Sequence, residues 1–338
     1  MRDQRIDLLR FIGLSMIIFA HVGPPGLLFQ LRNFDVPLMV LISGMSYGLS
    51  YRETETYTSY LWKRFKRLVL PVWLFLTAYF LGIYFVNNSD PQVNVRTVFD
   101  SFVLLGGIGY VWIIRVFLIV ALIAPFIYKI DKSIESTRLF YLFVIVAFFS
   151  WEVLRYISYG YINQGFLKYI TLVTHYAIPY GLVYLLGLRM LVMSNRALVV
   201  TILSALFILV TYGIILYVKE GHVVLTQAMK YPPSVYYLSY AIFVSALLWL
   251  FAERILNVIS YLRFENIMLF ISQNSIWIYL WHIPFIKYLD TNFVAKYGCV
   301  YIGATCIAFL QVWLVSNVLI PKVRNKTTIK NIKMILTG

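Results

Sequence analysis

Two residues near the start of the chain have the types and the spacing needed for anion binding and proton transfer. Arg10 and His21 lie in the apolar segment IDLLRFIGLSMIIFAHV. In a helix with ~100° of rotation per residue, this spacing aligns the two side chains within ~20° and separates them by ~16 Å. A charge at bilayer depth costs ~2.5–3.5 kcal/mol on insertion scales and therefore usually faces a cavity or a partner. This helix face predicts a site with an anion-holding guanidinium and a basic or nucleophilic imidazole.

Two nearby acidic residues leave alternatives open. Asp7 could form a local i,i+3 pair with Arg10 near the interface, with His21 as an ordinary interfacial residue. Asp35 opens the second apolar segment, and a short hairpin could bring it beside His21, where it would fix the imidazole tautomer. Asp35 could equally cap the second helix, with Pro37 in the first turn, and the two roles are compatible.

Further polar residues interrupt apolar or basic segments. Arg64 and Arg67 stand at i,i+3 in WKRFKR, where they could hold one phosphate together or simply reflect the positive-inside bias of membrane proteins. Arg115 is a second intramembrane arginine, and Glu152 is a candidate partner for it.

The late segment ISQNSIWIYLWHIPF carries a third set of polar side chains. Ser275 and His282 are seven residues apart, hence on one helix face, and Tyr279 lies between them. The alternative is an interfacial aromatic belt formed by Trp277, Tyr279 and Trp281. The four histidines of the chain lack the spacing of a known metal motif, so no metal is expected.

The elements that must position these residues are transmembrane helices. The 338 residues are 61% hydrophobic and 13% charged, with a mean hydropathy of +0.79, which excludes the soluble globular, disordered and fibrous classes. The hydropathy pattern predicts an all-α polytopic integral membrane protein with about ten spans. Their predicted limits are 6–22, 34–51, 68–86, 109–128, 139–152, 169–190, 197–218, 234–252, 267–287 and 299–320.

The basic residues predict the orientation. Lys and Arg total 29 against 14 Asp and Glu, a net charge of +15. With the N-terminus inside, 19 of the 29 fall in inside loops and eight in outside loops, as the positive-inside rule requires. Both termini are therefore predicted to be cytoplasmic. Residues 1–321 are predicted to form the membrane domain and residues 322–338 a short basic cytoplasmic tail.

Taken in order, these motifs resemble the membrane acyltransferase-3 family of bacterial sugar O-acyltransferases. The resemblance spans about residues 5–320, and two features depart from the family pattern. Many relatives have histidine at the position of Asp35, and many carry a fused extracytoplasmic domain that this chain lacks. The matching motifs are Arg10-(ten residues)-His21, Asp35-Val-Pro-Leu-Met with Ser43-Gly44, Arg64-x-x-Arg67-x-x-x-Pro71, Lys230-Tyr231-Pro-Pro-Ser234 and Ser275-x-x-x-Tyr279-x-x-His282.

The resemblance implies an enzyme of the bacterial inner membrane. It would transfer an acyl group, taken as acetyl, from cytoplasmic acyl-CoA to a hydroxyl of a cell-surface polysaccharide or its lipid-linked precursor. Catalysis would fall to His21, as general base or acyl carrier, with Arg10 guiding the donor and Asp35 orienting His21. Arg64 and Arg67 would bind the CoA phosphates. The residues expected on the substrate side are Arg115, Glu152, Lys230, Tyr231, Ser275, Tyr279 and His282.

The expected partners are acyl-CoA, the glycan or lipid-linked saccharide, the lipid bilayer and envelope-assembly proteins, with no nucleic acid. Intramembrane Arg, His and Asp also suit a transporter or exporter of a small anion or glycan precursor. A structural subunit of an envelope complex, in which polar residues only bridge helices, is a third reading. The paired broken helices of many transporters are not apparent in the sequence.

Overall fold

The computed structural model describes residues 3–87, 90–162 and 164–338, and within them the chain is helical with no strand. Short 3₁₀ and π turns connect or extend the helices. The α-helices are α1 (Gln4–His21), α2 (Gly26–Leu31), α3 (Asp35–Ser50), α4 (Tyr57–Val86), α5 (Val95–Phe102), α6 (Trp112–Ser133), α7 (Thr137–Ser158), α8 (Leu167–Met190), α9 (Asn195–Glu220), α10 (Val235–Leu250), α11 (Ala252–Tyr261), α12 (Glu265–Gln273), α13 (Ser275–Tyr288), α14 (Phe293–Leu314) and α15 (Lys326–Leu336).

In the described part of the chain, seven helical segments are long and apolar enough to cross a membrane. An eighth results if α10 and α11, which meet at a 57° bend, form one broken span. The predicted first span corresponds to α1, which is not among these seven segments. It carries three charged residues, Arg5, Asp7 and Arg10, within its 18 residues. The predicted span 267–287 is interrupted at Asn274 into the short helices α12 and α13. The predicted number of about ten membrane spans is therefore not confirmed, and the cytoplasmic placement of both termini stays a prediction.

The chain divides into two compact units. The first unit comprises residues 3–16, 25–53 and 119–265, and the second comprises residues 17–24, 54–118 and 266–338. Helices α1, α6 and α12 contribute one part to each unit, with only Glu265 of α12 in the first. We describe each unit by itself.

Two glycines determine how closely helices pack in the first unit. Helices α3 and α8 run against each other over much of their length. A Cβ atom on Gly44 would overlap the carbonyl oxygen of Tyr184, and one on Gly187 would overlap the carbonyl oxygen of Leu41. Small residues permit such backbone approach between membrane helices. This packing holds the middle of α3 against the last third of α8.

We expect Gly44→Ala to destabilise the protein by about 1–3 kcal/mol, because the added methyl forces the two backbones apart. Gly298→Ala is the matched control, since a Cβ atom there meets no other atom within 4 Å. Thermal unfolding of the purified proteins in detergent measures the difference. Equal transition temperatures for the two variants would show that α3 and α8 do not need this contact.

The second unit is organised around α4, α13, α14 and α15. Helix α13 packs on α14, and α15 lies along α4. Three hydrogen bonds hold α15: Lys66 Nζ donates to Asn331 Oδ1 (2.9 Å), Trp277 Nε1 to the Ile335 carbonyl (3.0 Å) and Gln311 Nε2 to the Leu336 carbonyl (2.7 Å). The segment predicted as a short basic tail thus contains a docked helix.

Candidate active site

Two histidines meet in the second unit. His21 is the last residue of α1, which ends before Gly23 at φ +70°. His282 lies on α13 and is fully buried, whereas His21 is half-buried. His21 Nδ1 is 2.8 Å from His282 Nε2, and the ring planes are 13° apart. The structure thus brings together imidazoles from two separate sequence motifs, a pairing that the sequence analysis did not predict.

The direction of this hydrogen bond follows from the other nitrogen of His282. His282 Nδ1 contacts the carbonyl oxygen of Tyr279 one turn earlier, and a carbonyl can only accept. Nδ1 therefore carries the proton, and the lone pair of neutral His282 is on Nε2. His21 must donate to it from Nδ1, so the basic nitrogen of His21 is Nε2. His282 thus occupies the orienting position at Nδ1 that the sequence analysis considered for Asp35.

Two tyrosines complete the arrangement. The ring of Tyr110 stands edge-on to His21 at a centroid distance of 5.0 Å. Tyr279 lies against His282 at 4.9 Å, and its hydroxyl donates to the carbonyl oxygen of Tyr110. We call His21, Tyr110, Tyr279 and His282 the histidine–tyrosine cluster. The two tyrosine rings thus pack against the imidazole pair, and His21 stays half-buried.

Tyr110 is a site residue that the sequence analysis missed. It follows the run Gly106-Gly107-Ile108-Gly109, in which two glycines have φ of +60° and +82°. Only glycine adopts such angles readily, so the turn that carries Tyr110 depends on them. A glycine run between apolar segments was the available signal.

Arg10 lies in the first unit and forms the predicted local pair. Its Nη1 is 3.4 Å from Asp7 Oδ1, and its Nη2 donates to Ser46 Oγ (3.1 Å). The Asp7 side chain is 3% exposed and the Arg10 side chain 22% exposed. The i,i+3 pairing, one of the two alternatives left open by the sequence, is present, and the guanidinium is more exposed than the carboxylate that it binds.

Asp35 is buried in the first unit together with Lys230. Its Oδ2 accepts from Arg32 Nη1 (2.8 Å), and its Oδ1 accepts from the Val36 amide (2.8 Å) and lies 3.5 Å from Lys230 Nζ. The helix cap is Phe34, so Asp35 is the first helical residue and not the cap. The carboxylate nevertheless binds an amide of the first turn of α3.

The remaining substrate-side candidates are divided between the units. Arg115, in the second unit, donates to the Leu104 carbonyl (3.0 Å). Glu152, in the first unit, accepts from Arg155, from the Tyr212 hydroxyl (2.8 Å) and from the Val235 amide (2.7 Å). Tyr231 is exposed beside Lys230, and Ser275 begins α13.

The basic segment at the start of α4 presents cations at the surface of the second unit. The Arg64 guanidinium lies over the Tyr60 ring at 5.1 Å, and Arg67 is exposed. Lys63 pairs with Glu55 (2.5 Å). No acidic residue occurs in the sequence between Glu55 and Asp90, so the segment is strongly positive.

Comparison with known proteins assigns the family. The family model described as "Acyltransferase domain" (acyltransferase family 3) matches residues 3–317, nearly the whole chain. No curated protein and no solved structure matches the chain. The matched range includes the histidine–tyrosine cluster, Arg10 and the basic start of α4. The chain therefore belongs to the acyltransferase-3 family and is a multi-pass membrane acyltransferase.

Proposed function

We propose that this protein transfers an acetyl group from acetyl-CoA to a hydroxyl of a cell-surface polysaccharide, or of its lipid-linked precursor, at the bacterial cytoplasmic membrane. The observation that carries the proposal is the His21–His282 hydrogen bond, which leaves His21 Nε2 as the basic nitrogen. A base whose tautomer is set by a buried partner is the arrangement that activates hydroxyl nucleophiles in acyl transfer.

The proposed reaction is direct transfer. The acceptor hydroxyl gives its proton to His21 Nε2 while its oxygen bonds to the thioester carbonyl carbon. The C–S bond then breaks, and the CoA thiolate takes the proton back from Nε2. The positive charge that develops on the His21 imidazole is stabilised by the hydrogen bond from its Nδ1–H to His282. Once the thiolate has taken the proton from Nε2, both rings are back in their starting state.

The donor would be held by cations at two places. Arg64 and Arg67 bind the phosphates of CoA, since guanidinium groups make charge-assisted, bidentate bonds to phosphate. Arg10 guides the acyl-pantetheine arm. Arg115, Glu152, Lys230, Tyr231, Ser275 and Tyr279 contribute to the acceptor side.

Incubation of the purified protein with [¹⁴C]acetyl-CoA tests the proposal. Wild-type protein should release CoA and label an added polysaccharide or lipid-linked saccharide fraction, and His21→Ala should do neither. Absence of His21-dependent CoA release with any acceptor would overturn the proposal. Label that stays on His21 when acceptor is omitted would replace direct transfer by an acyl-imidazole intermediate formed at Nε2.

Arg64→Gln combined with Arg67→Gln should raise KM for acetyl-CoA at least about tenfold, because charge-assisted hydrogen bonds contribute about 1.5–3 kcal/mol each. The value of kcat should stay near that of the wild type, since the phosphates are remote from the thioester. Lys63→Gln, which removes a cation already paired with Glu55, is the control and should leave KM unchanged. A fall in kcat at constant KM would contradict the phosphate-binding role.

A further inference from the structure

A buried charge cluster in the first unit carries more positive than negative charge. Arg32, Asp35 and Lys230 are all at most 3% exposed. The Asp35 carboxylate binds Arg32 at 2.8 Å and lies 3.5 Å from Lys230. Two cations thus face one carboxylate. We call these three residues the Arg32–Lys230 cluster.

The charge excess matters because the cluster is shielded from water. Buried charges are normally paired, and an excess charge in a low-dielectric environment strongly attracts a counter-ion. The pKa of Lys230 is lowered, chiefly by burial and also by the nearby Arg32, and Asp35 offsets this only in part. A second anion beside Lys230 would favour the charged ammonium, so binding of an anion and retention of the lysine charge support each other.

One hydrogen-bond donor of the cluster is unused. Buried polar side-chain atoms are nearly always hydrogen-bonded in native proteins. In the Arg32–Lys230 cluster, however, Arg32 Nε is buried without a hydrogen-bond partner among the described residues. Lys230 Nζ lies 5.7 Å from the Tyr237 ring centroid. The free edge of a guanidinium is a donor suited to an oxyanion.

The cluster is held in place by local bonds. Gln30 Oε1 accepts from the Gln227 amide (3.1 Å), and Asn33 Nδ2 donates to Thr226 Oγ1 (3.0 Å). These bonds join the turn between α2 and α3, which carries Arg32, to the segment that carries Lys230. The two cations are therefore positioned by the fold, which lowers the entropic cost of binding an anion between them.

Tyr231, the residue after Lys230, connects the cluster to the protein surface. Tyr231 is 48% exposed, and its ring lies 5.7 Å from Lys230 Nζ. The cluster is thus one side chain below the surface of the first unit. The exposed Tyr231 ring also provides an apolar face on which a sugar ring can stack.

We infer that Arg32 and Lys230 bind an anionic group of the acceptor, either the carboxylate of an acidic sugar or the phosphate of a lipid-linked saccharide. This inference rests on the proposed function, because it names the substrate class for the acceptor side of the same protein. Arg32 then becomes a specificity residue that the sequence motifs did not indicate.

Anion binding to the purified full-length protein tests the inference without any acyl donor. Glucuronate, inorganic pyrophosphate and glucose are titrated at constant ionic strength, and the thermal transition is followed. Glucuronate or pyrophosphate should raise the transition temperature, and glucose should not. The anion that stabilises identifies the source as an acidic sugar or a lipid-linked phosphate, and stabilisation by neither anion overturns the inference.

Two variants with opposite expected effects separate a ligand site from a structural ion cluster. Arg32→Gln removes the charge excess and should weaken anion binding by about tenfold or more, which corresponds to about 1.4 kcal/mol. Asp35→Asn removes the competing carboxylate and should tighten anion binding by a similar factor. Because the two variants are read independently, a poorly folding Arg32→Gln protein leaves the Asp35→Asn result decisive. Unchanged affinity in Asp35→Asn, or wild-type affinity in Arg32→Gln, would overturn the inference.

Arg189→Gln serves as the matched control for a broken ion pair. Arg189 and Asp131 form a one-to-one pair at 2.8 Å in the same unit, so their loss should change stability but not anion affinity. His21→Ala should bind the anion like the wild type. Failure of anion binding therefore leaves the acyl-transfer proposal standing, and inactivity with intact anion binding removes that proposal alone.

Discussion

His21→Ala is expected to lower the rate of acetyl transfer by about 10²–10⁴-fold, the usual contribution of a positioned general base. The structural reason is the hydrogen bond from His21 Nδ1 to His282 Nε2, which places the basic lone pair on Nε2. Alanine removes this nitrogen and leaves His282 without a donor. The measurement is the initial rate of CoA release from purified protein at saturating acetyl-CoA and acceptor.

His222→Ala is the control for the loss of a histidine. His222 is exposed, and its Nδ1 contacts only the nearby Glu220 carbonyl (2.9 Å) among the contacts described for it. This variant should retain wild-type activity. Both variants should show the wild-type elution volume in size-exclusion chromatography. A His21→Ala enzyme within a few-fold of wild-type activity would refute the catalytic assignment.

The helical, membrane-spanning architecture could be predicted from the sequence because long apolar segments have few structural solutions in a bilayer. The number of spans could not, for reasons visible in α1 and α13. Helix α1 carries three charged residues, and the predicted span 267–287 is interrupted at Asn274. Hydropathy averaged over a long window does not register single charges or a break in a helix, so segments with such features are counted as full spans.

The site was predictable in its residue types but not in its pairings. Spacing within one helix aligned Arg10 with His21 and offered the Asp7–Arg10 pair as an alternative, and that pair is present in the structure. It carries no information on which distant helix supplies the partner of His21. Asp35 was an attractive partner because it is close in sequence, yet its carboxylate binds Arg32 and lies beside Lys230. His282, 261 residues away from His21, could be recognised only once the tertiary structure placed it.

His282→Leu is expected to lower kcat by about 10² or more, with little change in KM for acetyl-CoA. Leucine cannot accept the proton of His21 Nδ1, so the imidazole loses the bond that fixes its tautomer. In serine proteases, placing the catalytic histidine in the wrong tautomer costs about 10⁴ in kcat. His282 is fully buried, so we assign it a positioning role and expect substrate binding to be largely preserved.

The conservative variant distinguishes hydrogen bonding from packing. His282→Gln retains an oxygen that can accept from His21 Nδ1, so it should recover part of the activity that His282→Leu loses. His175→Leu removes another buried histidine, one that bonds Ser158 and Thr174 in the first unit, and it controls for general destabilisation. If His282→Leu keeps the wild-type kcat, or if glutamine performs no better than leucine, then Nε2 of His282 does not set the state of His21. The base would then have to be activated by the substrate itself.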